Sequence, residues 1–133
     1  MIEYVEAPAG AYQPGVCNIG PAEVRRRRQI GYLGIAGAIG LGAMLLAADA
    51  PAALRLAVAA PATIGLSGLA QAHLRFCAGY GMAGLRNLGQ LGQQEAVDDT
   101  TARAADRRRA VRVHAATLVG GLLIGITFAA LPI

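Results

Sequence analysis

Hydrophobic positions in this chain gather into three uninterrupted runs, residues 30–48, 56–72 and 115–133, none of which contains a charged side chain. Each run has about the length that crosses a bilayer as an α-helix, at roughly 1.5 Å of rise per residue against about 30 Å of hydrocarbon. The runs are apolar around their whole circumference. The residues left over are too few and too polar to cover three such helices, so lipid is the expected cover. Ala, Leu and Gly dominate and no period-two alternation persists, which argues against strands. The pattern predicts an all-α integral membrane protein with three transmembrane helices, an antiparallel hairpin followed by a third span.

Boundaries follow from the punctuation between the runs. Residues 1–20, with Pro8, Gly10, Pro14 and Gly15, read as an irregular arm. Gly20-Pro21-Ala22-Glu23 has proline where a first helical position tolerates it and an acid in the first turn, so the first helix is expected over 21–48. Asp49-Ala50-Pro51 ends it, and so short a turn forces the second helix, 52–77, to run back antiparallel. Pro61 cannot donate to Ala57, which predicts a kink that Thr63 helps to compensate. Met82, Leu85, Leu88 and Leu91 recur every third residue within 78–99, a loop expected to carry a short amphipathic helix at the membrane surface. Asp98-Asp99-Thr100-Thr101 supplies capping residues for a last helix over 100–133 that starts near Ala102 and continues into the third span.

Charge sets the expected orientation. The chain has 12 arginines, no lysine and a net charge of +4. Arg25, Arg26, Arg27 and Arg28 abut the first span. Arg75, Arg86, Arg103, Arg107, Arg108, Arg109 and Arg112 lie between spans two and three, and Arg55 alone lies in the turn after span one. By the positive-inside rule the N-terminus and the long second loop are cytoplasmic and the C-terminus is on the far side. The opening Met1-Ile2-Glu3-Tyr4-Val5-Glu6 is acidic where a cleavable signal would be basic, so the first span is expected to act as an uncleaved signal. Arg25, Arg26, Arg27, Arg28, Arg107, Arg108, Arg109 and Arg112 read as anchors for anionic lipid headgroups. Nucleic acid is not an expected partner, because no aromatic residues are interleaved for stacking on bases.

Small residues mark helix contacts. Gly34, Ala38 and Gly42 recur every four residues in span one, as do Thr117, Gly121, Gly125 and Ala129 in span three. Such grooves let helix backbones approach closely in lipid, where hydrophobic drive for association is weak. They either close within the bundle or receive a partner protein or a second copy.

Two cysteines and two histidines supply the remaining chemistry. Cys17, His73, Cys77 and His114 all fall near span ends on the expected cytoplasmic side, and His73 and Cys77 share a helix face if the second helix reaches that far. Thiolate and imidazole together suit zinc or copper, although no Cys-x-x-Cys pair is present. The other reading is isolated surface histidines with reduced, packed cysteines and no cofactor. No catalytic constellation is complete, and no carboxylate lies within a span to relay protons.

The run Asn18-Ile19-Gly20-Pro21-Ala22-Glu23, followed by Arg26 or Arg27 and a glycine-rich span, then Cys77-Ala78-Gly79-Tyr80 and Gly84, resembles the YgaP-like inner-membrane transmembrane family over residues 17–85. That family is similar in opening with an Asn-x-Gly-x-x-Glu-x-x-x-Arg pattern and closing near Cys-Pro-x-Tyr. Here Ala78 stands in place of the proline, and Cys17 and the third span lie outside the pattern. The resemblance implies a small bacterial helical hairpin and supplies no activity.

Two functions are therefore expected candidates. The first is a non-enzymatic accessory or assembly subunit of the bacterial inner membrane, packing onto other membrane subunits or a second copy. The alternative is a thiol- or metal-handling membrane protein using the Cys and His residues.

Overall fold

The computed structural model describes residues 11–132. It is mostly helical, with a minor two-stranded sheet and three helices long and apolar enough to span a membrane. Helix α1 runs Pro21–Ala47. The second span, Ala52–Leu74, is built from α2 (Ala52–Arg55), a 3-10 turn (Leu56–Val58) and α3 (Ala59–Leu74). Helix α4 (Ala78–Ala83), strands β1 (Leu85–Arg86) and β2 (Glu95–Ala96), and helix α5 (Thr100–Ala130) complete the order. The chain divides into a polar unit, residues 11–26 and 71–112, and an apolar unit, residues 27–70 and from 113 onward.

In the apolar unit the second span lies between the other two. Gly34 meets the backbone of Gly65 directly, and a Cβ added at Gly68 would stand 2.6 Å from the Gly31 nitrogen. Gly121 packs against Thr63, and a Cβ at Gly125 would stand 2.7 Å from that of Ala59. The expected grooves at Gly34, Gly121 and Gly125 thus close within the chain. Gly42 faces Phe128 and Val58, Thr117 is buried, and Ala38 and Ala129 are half-buried. Gly65 and Gly68, spaced by three, do as much of this work as the residues spaced by four.

The discontinuity expected at Pro61 is present as the 3-10 turn just before it, where the bond to Ala57 is lost. Thr63 turns its hydroxyl back to Ala59 O at 2.7 Å. Helices α1 and α3 both end in Schellman turns closed by non-glycine residues. Ala50 N donates to Leu45 O at 3.0 Å with Asp49 at φ 51°, and Phe76 N to Gln71 O at 3.0 Å with Arg75 at φ 53°. Arg55 donates to Ala50 O and to Leu131 O, each at 3.1 Å. One cation therefore serves two carbonyl-rich helix ends, which favours it there.

In the polar unit, residues 11–20 of the expected irregular arm form a turn and isolated bridges, held by bonds to the rest of the unit; residues 1–10 of that arm lie outside the described residues. Pro14-Gly15 makes a tight turn, with Val16 N bonded to Gln13 O at 3.0 Å and Gly15 at φ 69°. The chain then pairs Ile19 with Asn87 in a parallel bridge before entering α1 at Pro21.

The amphipathic helix expected through Leu91 is not formed. Helix α4 stops at Ala83 because Gly84 turns left-handed at φ 72°, and Leu85 and Arg86 pair with Ala96 and Glu95 instead. The last helix begins at Thr100 as the capping cluster requires, with Asp99 Oδ1 accepting from Thr101 N at 3.2 Å.

Candidate functional site

The polar unit is knit by buried polar side chains that join three separate stretches of chain. Asn18 places its amide against the backbone of Cys77, accepting from Cys77 N at 2.6 Å and donating to Cys77 O at 3.0 Å. Its own backbone continues the pairing, since Asn18 N donates to Arg75 O and Asn18 O accepts from Asn87 N. Glu23, in the first turn of α1 and fully buried, accepts from Tyr80 Oη at 3.0 Å and Asn87 Nδ2 at 3.2 Å. Gly20 is needed because a Cβ there would stand 2.5 Å from Leu88 O. Asn18, Gly20, Glu23, Cys77 and Tyr80 thus meet in one network. Ala78 N donates to Gln71 Oε1 at 3.0 Å, a bond proline could not make.

A second junction lies on α5. Asp106, buried in mid-helix, accepts from Tyr12 Oη at 2.7 Å through Oδ2 and from Gly15 N at 2.7 Å through Oδ1. The Pro14-Gly15 turn is thereby pinned to α5. Burial, followed by the hydrogen bond to Asp106, pushes the Tyr12 phenol above its usual range. Burial and the bond to Glu23 do the same to Tyr80. The sequence alone assigns no role to Asp106, Asn87, Gln71 or Tyr12. The Pro14-Gly15 pair was the available signal for the turn, but nothing local pointed to its partner 91 residues away.

The four candidate metal ligands are not gathered. Helix α3 ends at Leu74 and Arg75 turns left-handed, so His73 and Cys77 do not share a helix face. His73 and His114 are exposed. Cys77 is a buried N-cap whose sulfur accepts from Tyr80 N at 3.4 Å, and the sulfur of Cys17 lies 3.5 Å from Ile19 O; the two form no disulfide. Among the described residues no group of three or more His, Cys, Asp or Glu side chains could hold a metal ion.

The arginines expected at the interface separate into two kinds. Arg25, Arg26, Arg28, Arg107, Arg108 and Arg112 are exposed, and Arg27 is half-buried. Arg109 is turned inward, its guanidinium 5.7 Å from the Phe76 ring centroid, a cation–π contact inside the polar unit. Arg86 similarly lies 4.9 Å over Tyr12 and pairs with Glu95 at 3.4 Å. Arg103, Arg107, Arg108 and Arg112 line one hollow on the outer face of α5, together with Thr100, Ala104 and Val111.

No family model, curated protein or solved structure matches this chain.

Proposed function

We propose that this chain is a non-catalytic subunit of a bacterial inner membrane, with its polar unit on the cytoplasmic side, that assembles with other membrane-spanning subunits or with a second copy. The arginine distribution supports the orientation. Eleven arginines precede the first span or lie between the second and third, and the twelfth, Arg55, is engaged by the carbonyls of Ala50 and Leu131. Kinship with the YgaP-like family belongs to the same proposal, supported by the meeting of its motif residues in one network. That network also favours a non-catalytic role: Asn18, Glu23, Asn87 and Asp106 are bonded to backbone groups or to side chains that fix the chain path.

The observation that carries the assembly is Gly40. A glycine in a helix interior costs about 1 kcal/mol relative to alanine, yet a Cβ at Gly40 would meet nothing within 4 Å. It lies between Leu33 (72% exposed), Ile39 (69% exposed) and Met44 on a face of α1 that the described residues leave open. Close approach by another helix would account for it.

The test is the size of the particle extracted in mild detergent, measured by light scattering with the detergent subtracted. The expected result is an assembly of defined mass that survives Cys17→Ser with Cys77→Ser and dissociates in Gly40→Ile. A single chain carrying stoichiometric zinc or copper, or an assembly indifferent to Gly40→Ile, overturns the proposal.

A further inference from the structure

The outer face of α5 carries more organisation than a row of basic anchors needs. At about 100° per residue, Arg103 and Arg107 fall on one flank of the helix and Arg108 and Arg112 on the other, with Thr100, Ala104 and Val111 between them. Each flank is an i, i+4 pair, the spacing that puts two side chains over one another. The strip between is apolar and open, with Val111 53% exposed. Together the seven residues line a hollow of about 700 Å³, room for a headgroup.

Among the described residues nothing compensates the charge on this face. The acid on the same stretch of helix, Asp106, points to the buried side and is held there by Tyr12 and Gly15. None of the four arginines has an ion pair among the described residues. A guanidinium offers a planar fork of donors that fits a phosphate in two-pronged fashion, and two guanidiniums can hold one phosphate from both sides.

Height along the helix favours lipid as the source of that phosphate. Helix α5 has no break between Arg112 and the charge-free residues 113–130. Those 18 residues span about 27 Å, close to the hydrocarbon thickness. Arg112 then stands where headgroups begin, Arg108 about 6 Å further out, and the pair Arg103 and Arg107 about 7.5 Å beyond the first pair on average. Long arginine stems cover such a difference by bending toward the headgroup layer.

We propose that this face is a binding site for an anionic phospholipid carrying two phosphate groups, one held by Arg103 and Arg107 and the other by Arg108 and Arg112, with the lipid's uncharged linking atoms over Ala104 and Val111. The site rests on the membrane placement above and is independent of assembly through Gly40.

Native mass spectrometry of the full chain in mild detergent tests it, with diphosphatidylglycerol, twice its amount of phosphatidylglycerol, and phosphatidylcholine offered together. The expected result is one retained diphosphatidylglycerol, preferred at least tenfold over phosphatidylglycerol at equal lipid charge. Either double variant, Arg103→Gln with Arg107→Gln or Arg108→Gln with Arg112→Gln, lowers that preference about tenfold. Lysine at all four positions keeps attraction to both anionic lipids and loses the preference, because an ammonium is a point charge without the fork. Protection of Cys77 from maleimide reports that each variant is folded. Retention of both anionic lipids in proportion to charge overturns the site, as does a preference unchanged in the double variants. Displacement of the lipid by a Glu-rich peptide at lower concentration would assign the face to a protein partner and also overturn it. Loss of assembly in Gly40→Ile with lipid retention intact, or the reverse, separates failure of one reading from failure of the other.

Discussion

In the polar unit Asn18 holds Cys77 through two hydrogen bonds of a side-chain amide, whereas in the apolar unit Gly34 and Gly65 meet backbone to backbone with no side chain between them. The difference follows from the surroundings each stretch of sequence calls for. Where water competes, an interior hydrogen bond gains little net but is expensive to leave unmade, so buried polar groups fix the chain path through the penalty for every alternative. Where the flanking medium is as apolar as leucine, sequestering leucine gains little, and close contact becomes the main attraction. One unit is therefore specified by what its side chains reach, and the other by where side chains are missing.

The sharpest way to break this contrast is to add atoms to the apolar unit. Gly34→Leu or Gly65→Val places a side chain inside the Gly65 or Ile35 backbone, and overpacking against backbone costs about 3 kcal/mol or more. The expected outcome is a hairpin that no longer survives thermal unfolding in detergent, followed by circular dichroism. Gly40→Ala, which meets nothing within 4 Å among the described residues of its own chain, should instead leave the hairpin's own unfolding intact, its effect falling on assembly. Equal effects at Gly34 and Gly40 would end the argument from missing side chains.

Next in size is Asn18→Ala. Truncation removes both bonds from the side-chain amide to the Cys77 backbone; the carbonyl keeps Gly81 N as a donor at 2.9 Å, and loss of the buried bond to Cys77 N costs about 1–3 kcal/mol. The measurement is the rate of Cys77 alkylation under native conditions, which should rise at least tenfold. Ala78→Pro tests the same logic more gently. It removes the donor to Gln71 Oε1 at a site that otherwise suits proline, the first position of α4, so a loss of about 1 kcal/mol is expected. A gain in stability would mean that the backbone restraint outweighs the bond.

These contrasts also explain what could be read beforehand. The three spans, the helix start at Pro21 and the cap near Asp99 were legible because run length, proline position and capping residues are local signals. The contact between α1 and α3 was only half legible, since Gly65 and Gly68 are spaced by three and their importance depends on what faces them. Leu85 and Leu88 fit a helical repeat, but left-handed Gly84 and the Arg86–Glu95 pairing took the chain into a hairpin. Arg109 looked like its neighbours in sequence, and only the placement of Phe76 by the turn after α3 gives it a ring to lie against, half-buried where Arg107 and Arg108 are exposed. The network of the polar unit was the least visible, because its bonds join residues dozens of positions apart, such as Asn18 with Cys77 and Glu23 with Asn87.

Alkali should act on the polar unit first. Tyr12 and Tyr80 have phenols raised above the unfolded value of about 10 by burial and then by the carboxylates they donate to. A group whose folded pKa is raised lends its full stability below the unfolded value and loses it as pH climbs past. Cys77 should therefore be protected at pH 8 and become progressively labelled above about pH 10. Absorbance titration should show a late-ionising phenol component that diminishes in Tyr12→Phe and again in Tyr80→Phe. Phenols that all titrate together near the ordinary value would contradict the burial of these two hydroxyls.

The smallest effect expected lies in the two helix ends that resemble each other most. Asp49 in the apolar unit and Arg75 in the polar unit both occupy the left-handed position of a Schellman turn, at φ 51° and 53°. Glycine adopts that conformation freely. Asp is tolerated there better than most residues because its short side chain bonds locally, while Arg has no such compensation and bears a cost of about 1 kcal/mol. Arg75→Gly should therefore raise stability by about 0.5–1 kcal/mol and Asp49→Gly by less, both read as shifts in thermal midpoint. The sign at Arg75 discriminates between two accounts of that residue. The exposed guanidinium makes no ion pair among the described residues, so if the turn alone sets its energetics the glycine variant gains stability. A loss there would show that the cation near the last carbonyls of α3 outweighs the backbone strain.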